Sequence, residues 1–149
     1  KIEGNKNSVI TDVGKEVKVF EENDHISKSS KDLIENWNRL KENFSQLEGV
    51  ELVPKRNYIS LMIGSKNISF NTFRKETIQI ELLRGNINPD GSKSRNYFNL
   101  DDPKNISEES FWTWKSGTKG TIYKIRFDKN SDIEYILFLI KQKYNNIIS

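Results

Sequence analysis

The stretch Tyr58-Ile59-Ser60-Leu61-Met62-Ile63-Gly64-Ser65-Lys66-Asn67-Ile68-Ser69-Phe70-Asn71-Thr72-Phe73 decides the fold. Ile59, Leu61 and Ile63 alternate with Tyr58, Ser60 and Met62, the period of two that gives a strand two different faces. Gly64-Ser65-Lys66-Asn67 offers a hairpin connection into a second run, Ile68 to Phe73. The pattern extends on both sides. Val50 to Val53 reads as a short strand stopped by Pro54, which cannot donate to a ladder and marks an edge or a bend. Beyond Phe73, Ile78, Ile80 and Leu82 face one way while Thr77, Gln79 and Glu81 face the other. Gly120 to Phe127 alternates again, with Tyr123, Ile125 and Phe127 on one side and Ile122, Lys124 and Arg126 on the other. Strands of this kind predict an antiparallel sheet with one wet face.

Helical periodicity flanks the strands. Leu33, Trp37, Leu40, Phe44 and Leu47 recur at spacings of four and three, one apolar stripe on a helix of about four to five turns. Ser29-Ser30-Lys31-Asp32 supplies a capping serine with an acid at the positive helix start, and Gly49 the left-handed stop. Ser131-Asp132-Ile133-Glu134 reads as a capping box opening a last helix, which buries Ile133, Ile136, Leu137, Ile140 and Tyr144. The expected fold class is α+β: an antiparallel sheet of about five strands with two helices packed on one face.

Two stretches stand outside this scheme. Residues 1–14 carry too few apolar groups to offset their ordering entropy, and with Lys15 to Phe20, compatible with a short edge strand, they make residues 1–20 a linker or tail ahead of a single α+β domain at 21–149. Residues from Arg84 to Lys119 hold Asn88-Pro89-Asp90-Gly91, Asp101-Asp102-Pro103-Lys104 and Ser116-Gly117, and read as an irregular connection dense in turn chemistry. A connection this long is often functional.

Composition narrows the chemistry. The 149 residues include no cysteine and one histidine, which excludes disulfides, thiolate nucleophiles and zinc sites built from Cys or several His. No metal, cofactor or catalytic set is expected. His25 stands just ahead of a helix cap with no nucleophile partner, and a structural role suits it better than general base chemistry. Ser116-Gly117-Thr118-Lys119-Gly120-Thr121 superficially resembles a phosphate loop, yet a strand follows it where a helix is needed, so it reads as a turn. Asp101-Asp102 could face magnesium, but adjacent acids before proline more often bond their own backbone. Asp12 with Glu16-Val17-Lys18 loosely resembles the acid, acid and lysine set of restriction-type nucleases, without the core strands such a site needs. The longest apolar run, Tyr135 to Ile140, is far shorter than a membrane span, and no export signal is visible, so a cytoplasmic protein without membrane partners is expected. The chain does not begin with methionine, and an excerpt from a longer protein is the expectation.

The formal charge of +3 is unevenly placed. Residues 1–49 hold eight Lys or Arg against ten Asp or Glu, a net −2; residues 50–126 hold thirteen against eight, a net +5; residues 127–149 balance at three each. Within the basic segment Tyr97, Phe98, Phe111, Trp112 and Trp114 interleave with Lys93, Arg95, Lys104, Lys115 and Lys119. Aromatics that stack on bases and cations that meet phosphates are the ingredients of single-strand or end recognition. The packing alternative is that these aromatics cover the end of the sheet, with one of Trp112 and Trp114 buried.

Several of these residues carry a resemblance. Glu21-Glu22-Asn23-Asp24-His25, Val53-Pro54-Lys55-Arg56-Asn57-Tyr58-Ile59, Asp132-Ile133-Glu134-Tyr135-Ile136 to Lys141-Gln142-Lys143-Tyr144, Asp101-Asp102-Pro103-Lys104 and the glycine turn Gly117 to Gly120 together resemble a bacterial domain family of unknown function. The resemblance runs from about Glu21 to Tyr144. Some members are labelled predicted transport proteins, and members often stand C-terminal to endonuclease-like or restriction-system domains. Where the family often shows histidine-tryptophan-glycine, this chain reads Phe111-Trp112-Thr113-Trp114. The resemblance implies an accessory module, with DNA or RNA and a linked or separate nuclease domain as expected partners. The expected contact set is Lys93, Arg95, Lys104, Trp112, Trp114, Lys115 and Lys119. A protein-interaction or dimerisation module, with the same aromatics anchoring a partner chain, is the alternative. A metal-dependent hydrolase using Asp101 and Asp102 is the outlying one. The residues set no oligomeric state.

Overall fold

The computed structural model describes residues 19–149. The expected tail, the possible edge strand from Lys15 and the Asp12, Glu16 and Lys18 set therefore lie outside the described residues, except that Val19 and Phe20 belong to no strand. The chain opens with a one-turn helix α1 (Glu22–Ile26) and the amphipathic helix α2 (Lys31–Asn43). Ser30 caps α2 by accepting from the Leu33 amide at 3.3 Å. The apolar stripe continues past α2 into a 3₁₀ turn, Phe44–Gln46, and Gly49 at φ +84° reverses the chain into the sheet.

Six strands follow: β1 (Val50–Pro54), β2 (Ile59–Ile63), β3 (Lys66–Phe73), β4 (Ile78–Ile87), β5 (Ser107–Thr113) and β6 (Lys119–Phe127), before the last helix α3 (Ile133–Ile148). The fold class is α+β, with an antiparallel sheet in the order β1-β2-β3-β4-β6-β5. β1 to β4 form a meander, with Gly64-Ser65 making a two-residue turn between β2 and β3. β6 then inserts between β4 and β5 and pairs antiparallel with both.

This corrects the reading of residues 84–119 as irregular. β4 runs on to Ile87, and β5 lies inside the supposed connection. β5 escapes detection because strand alternation shows only where one face is buried, and β5 is half-buried or exposed at every position. The last helix is also capped one residue later than expected: Asp132, not Ser131, accepts from the Glu134 and Tyr135 amides.

α2 and α3 pack on one another and on a single face of the sheet. The core between them joins Leu33, Trp37 and Leu40 of α2, Ile136, Leu137 and Ile140 of α3, and Ile59, Leu61, Ile80, Leu82, Tyr123, Ile125 and Phe127 of the strands. Directly opposed residues share a face, so the opposite face carries the row Ser60, Phe70, Glu81, Lys124 and Glu108. Two polar side chains lie wholly within the core, Ser69 and Asn71, and Asn71 Nδ2 donates to the Ile59 carbonyl at 2.8 Å. The connection from β4 to β5 crosses the helical face beside α3. Its backbone is held by side chains: the Leu100 amide donates to Tyr123 Oη at 3.1 Å, Asp101 exchanges two 2.8 Å bonds with the Gln142 amide, and the Lys104 amide donates to Tyr135 Oη at 2.9 Å.

Candidate functional site

The aromatic and basic residues singled out in the sequence gather mainly at one end of the sheet, where the β5–β6 hairpin turns. Trp114 N donates to Thr118 O and Gly117 N to Trp114 O, both at 2.9 Å, and Gly117 sits at φ +91°, a conformation favourable only to glycine. A second tip, Asn88 to Ser92 after β4, lies against the first: a Cβ on Gly117 would come within 3.2 Å of the Pro89 ring.

Trp112 and Trp114, two residues apart, project on the face away from the helices. Their rings meet edge to face, with centroids 5.4 Å apart at 85°. Trp112 opposes Gly120 in the ladder, and its ring occupies the space a side chain there would take: a Cβ on Gly120 would meet the indole at 2.2 Å. Neither indole is buried. Trp112 is 39% and Trp114 43% exposed, and Phe111, on the opposite face of the strand, is 62% exposed. The expectation that one of the tryptophans covers the core is not met. Trp37 fills the core instead.

The cations at this end of the sheet differ in how they are held, and Lys119, opposite Thr113, lies on the Phe111 face and not the tryptophan face. Lys119 Nζ lies 5.1 Å from the Phe111 ring centre and Lys93 Nζ 5.4 Å from that of Tyr97. Lys93 is fixed near the same end by its bridge to Ile87, which also pairs with Lys119. Arg95 and Lys115 are exposed and form no ion pair among the described residues. Asp90, the acid of the neighbouring tip, accepts from the Ser92 hydroxyl and amide, and these bonds lower its carboxyl pKa. It stays anionic and turned into its own loop.

Lys104 is separated from this group, at the far end of β5. Its ammonium lies 4.8 Å from the Tyr135 ring centre and 3.5 Å from Asp132, so it serves the start of α3. The neighbouring Asp102 is a bracket. Oδ2 accepts from the Ser107 amide and hydroxyl, both at 2.7 Å, and Oδ1 accepts from Tyr135 Oη. Partial burial alone would raise its pKa, but the Tyr135 and Ser107 bonds outweigh that and hold it below the ordinary carboxylate value. No group of three His, Cys, Asp or Glu positioned to hold a metal occurs among the described residues. His25 is buried, and its Nε2 donates to the Lys55 carbonyl at 2.7 Å, tying α1 to the β1–β2 turn.

Two residues of the site escaped sequence reasoning. Gly120 is the pedestal for Trp112, a role visible only once the β5–β6 register is known. Arg84, which joins Glu109 at 2.7 Å and lies 4.9 and 5.1 Å from the Tyr97 and Tyr123 ring centres, fastens β5 and the crossing connection to β4.

No family model matches the chain, and no solved structure matches it. An uncharacterised protein of Haemophilus influenzae is 27% identical over 131 residues, covering 86% of this chain and 38% of that protein. The chain therefore spans little more than a third of the length of the curated relative it matches. This similarity is consistent with a family of unknown function.

Proposed function

We propose that this chain is a non-catalytic module that contacts single-stranded or frayed nucleic acid at the β5–β6 end of its sheet, as an accessory part of a bacterial restriction or modification protein. The observation that carries the reading is the exposed pair Trp112 and Trp114, seated on Gly120 beside Lys115, with Lys119 and Lys93 on the other face of the same end of the sheet. Two indoles at right angles present one ring face and one edge, enough to stack a splayed base while the cations meet flanking phosphates. Lys104 is left out of the contact set because of its place beside α3. The accessory role rests on the family resemblance. No described helix is long and apolar enough to cross a membrane, so the transport label draws no support from the helices.

The test is binding of a labelled oligonucleotide, single- and double-stranded, over a range of salt. Four phosphate contacts on a single strand predict a log–log salt slope of roughly −3. Trp112→Ala or Trp114→Ala is expected to weaken binding about five- to a hundredfold, the range for one lost base stack. Lys104→Ala leaves affinity unchanged. No binding at low salt, or equal losses from Lys104→Ala and Lys115→Ala, overturns the reading.

A further inference from the structure

Among the described residues, nothing pairs with the outer edge of β5. In an antiparallel ladder, residues alternate between those that bond the neighbouring strand and those whose amide and carbonyl point away. Trp114 bonds Thr118 directly, so in the uniform β5–β6 register Ser110 and Trp112 also face β6, while Ser107, Glu109, Phe111 and Thr113 present their backbone groups outward. The Ser107 amide is already taken by Asp102 at 2.7 Å. Three outward amides remain, at Glu109, Phe111 and Thr113, and they are centred on Phe111. The opposite edge, β1, ends in Pro54.

We infer that β5 pairs antiparallel with β5 of a second copy of this chain, about a twofold axis passing between the two Phe111 residues. Glu109 then opposes the partner's Thr113, and all three free amides on each copy gain an acceptor. The axis brings the two exposed Phe111 rings together on the helical face. On the other face it sets Ser110 opposite the partner's Trp112, so both tryptophan pairs lie on one continuous twelve-stranded surface.

Charge favours a second copy in this direction. The acidic start of β5, Glu108 and the Arg84-paired Glu109, meets the partner's hairpin end, with Lys115 and Lys119, whereas a parallel arrangement would stack the glutamates. A twofold contact also closes on itself and leaves no β5 edge for further addition. This inference does not depend on nucleic-acid binding, and its test contains no nucleic acid.

Light scattering on the 149-residue chain at high micromolar concentration is expected to give a mass of about twice 17.4 kDa. Amide hydrogen exchange is expected to protect Glu109, Phe111 and Thr113, with protection lost on dilution. Phe111→Lys, which sets two cations across the axis at an exposed position, is expected to raise the dimer dissociation constant at least about tenfold while leaving the β6 amides protected. A monomeric mass at that concentration overturns the inference. So does a dimer in which those three amides exchange freely, or one that survives Phe111→Lys unchanged.

Discussion

Asp102 and Lys143 show how single ionisable groups shape the helical face. Asp102 has a folded pKa below its unfolded one, so it stabilises the fold at neutral pH and loses that contribution as pH falls through its lowered value. Asp102→Ala is expected to cost about 3 kcal/mol, since it leaves the Ser107 amide and Tyr135 hydroxyl without a charged acceptor, and to flatten the acid limb of a stability–pH curve. Thermal melts between neutral and acid pH measure both. Lys143 behaves oppositely. It is buried in α3 with Phe98 5.2 Å from its ammonium, and desolvation lowers its pKa. The unfolded chain then holds its proton to higher pH than the fold does, so stability rises as pH climbs between the lowered folded value and the ordinary lysine value. Lys143→Met is expected to stabilise the protein by on the order of 1 kcal/mol at neutral pH and to remove that alkaline rise. An unchanged or lower melting temperature contradicts it.

Among the elements, the β5–β6 hairpin depends most on a residue without a side chain. Gly120→Val would drive a branched side chain into the Trp112 indole, displacing the ring from the strand. The expected cost is about 1 to 3 kcal/mol, as for other overpacked sites, together with loss of the edge-to-face tryptophan geometry. Tryptophan near-ultraviolet circular dichroism reports the second effect directly. The elements also show what sequence could reveal. α2, β2, β3, β4 and β6 were legible because each buries one face, so apolar residues recur at the period of the element. β5 was not, because an edge strand wet on both faces has no such period. The candidate site divides similarly. Trp112, Trp114, Lys115 and Lys119 were legible as a group because one tight hairpin keeps sequence neighbours together. Lys104 lies apart from that group because the intervening strand, at about 3.4 Å per residue, separates it from the hairpin by roughly 20 Å.

At the scale of the molecule, the two ends of the sheet have different work. One end is bound tightly by backbone carbonyls that accept from α1 and from the link that caps α2: Lys55 from His25, Arg74 from the Ser29 hydroxyl and Lys75 from the Ser30 amide. The other end carries the two loop tips, the exposed indoles, and Arg95 and Lys115, which form no ion pair among the described residues. The strand order also bears on synthesis. β5 finds its ladder partner in β6, the last of the described strands, and β4, already paired with β3, waits for β6 on its other edge. A nascent polypeptide leaving the ribosome therefore presents β5 unpaired and one edge of β4 open until Phe127 emerges, and the aromatic edge of β5 is uncovered throughout that interval.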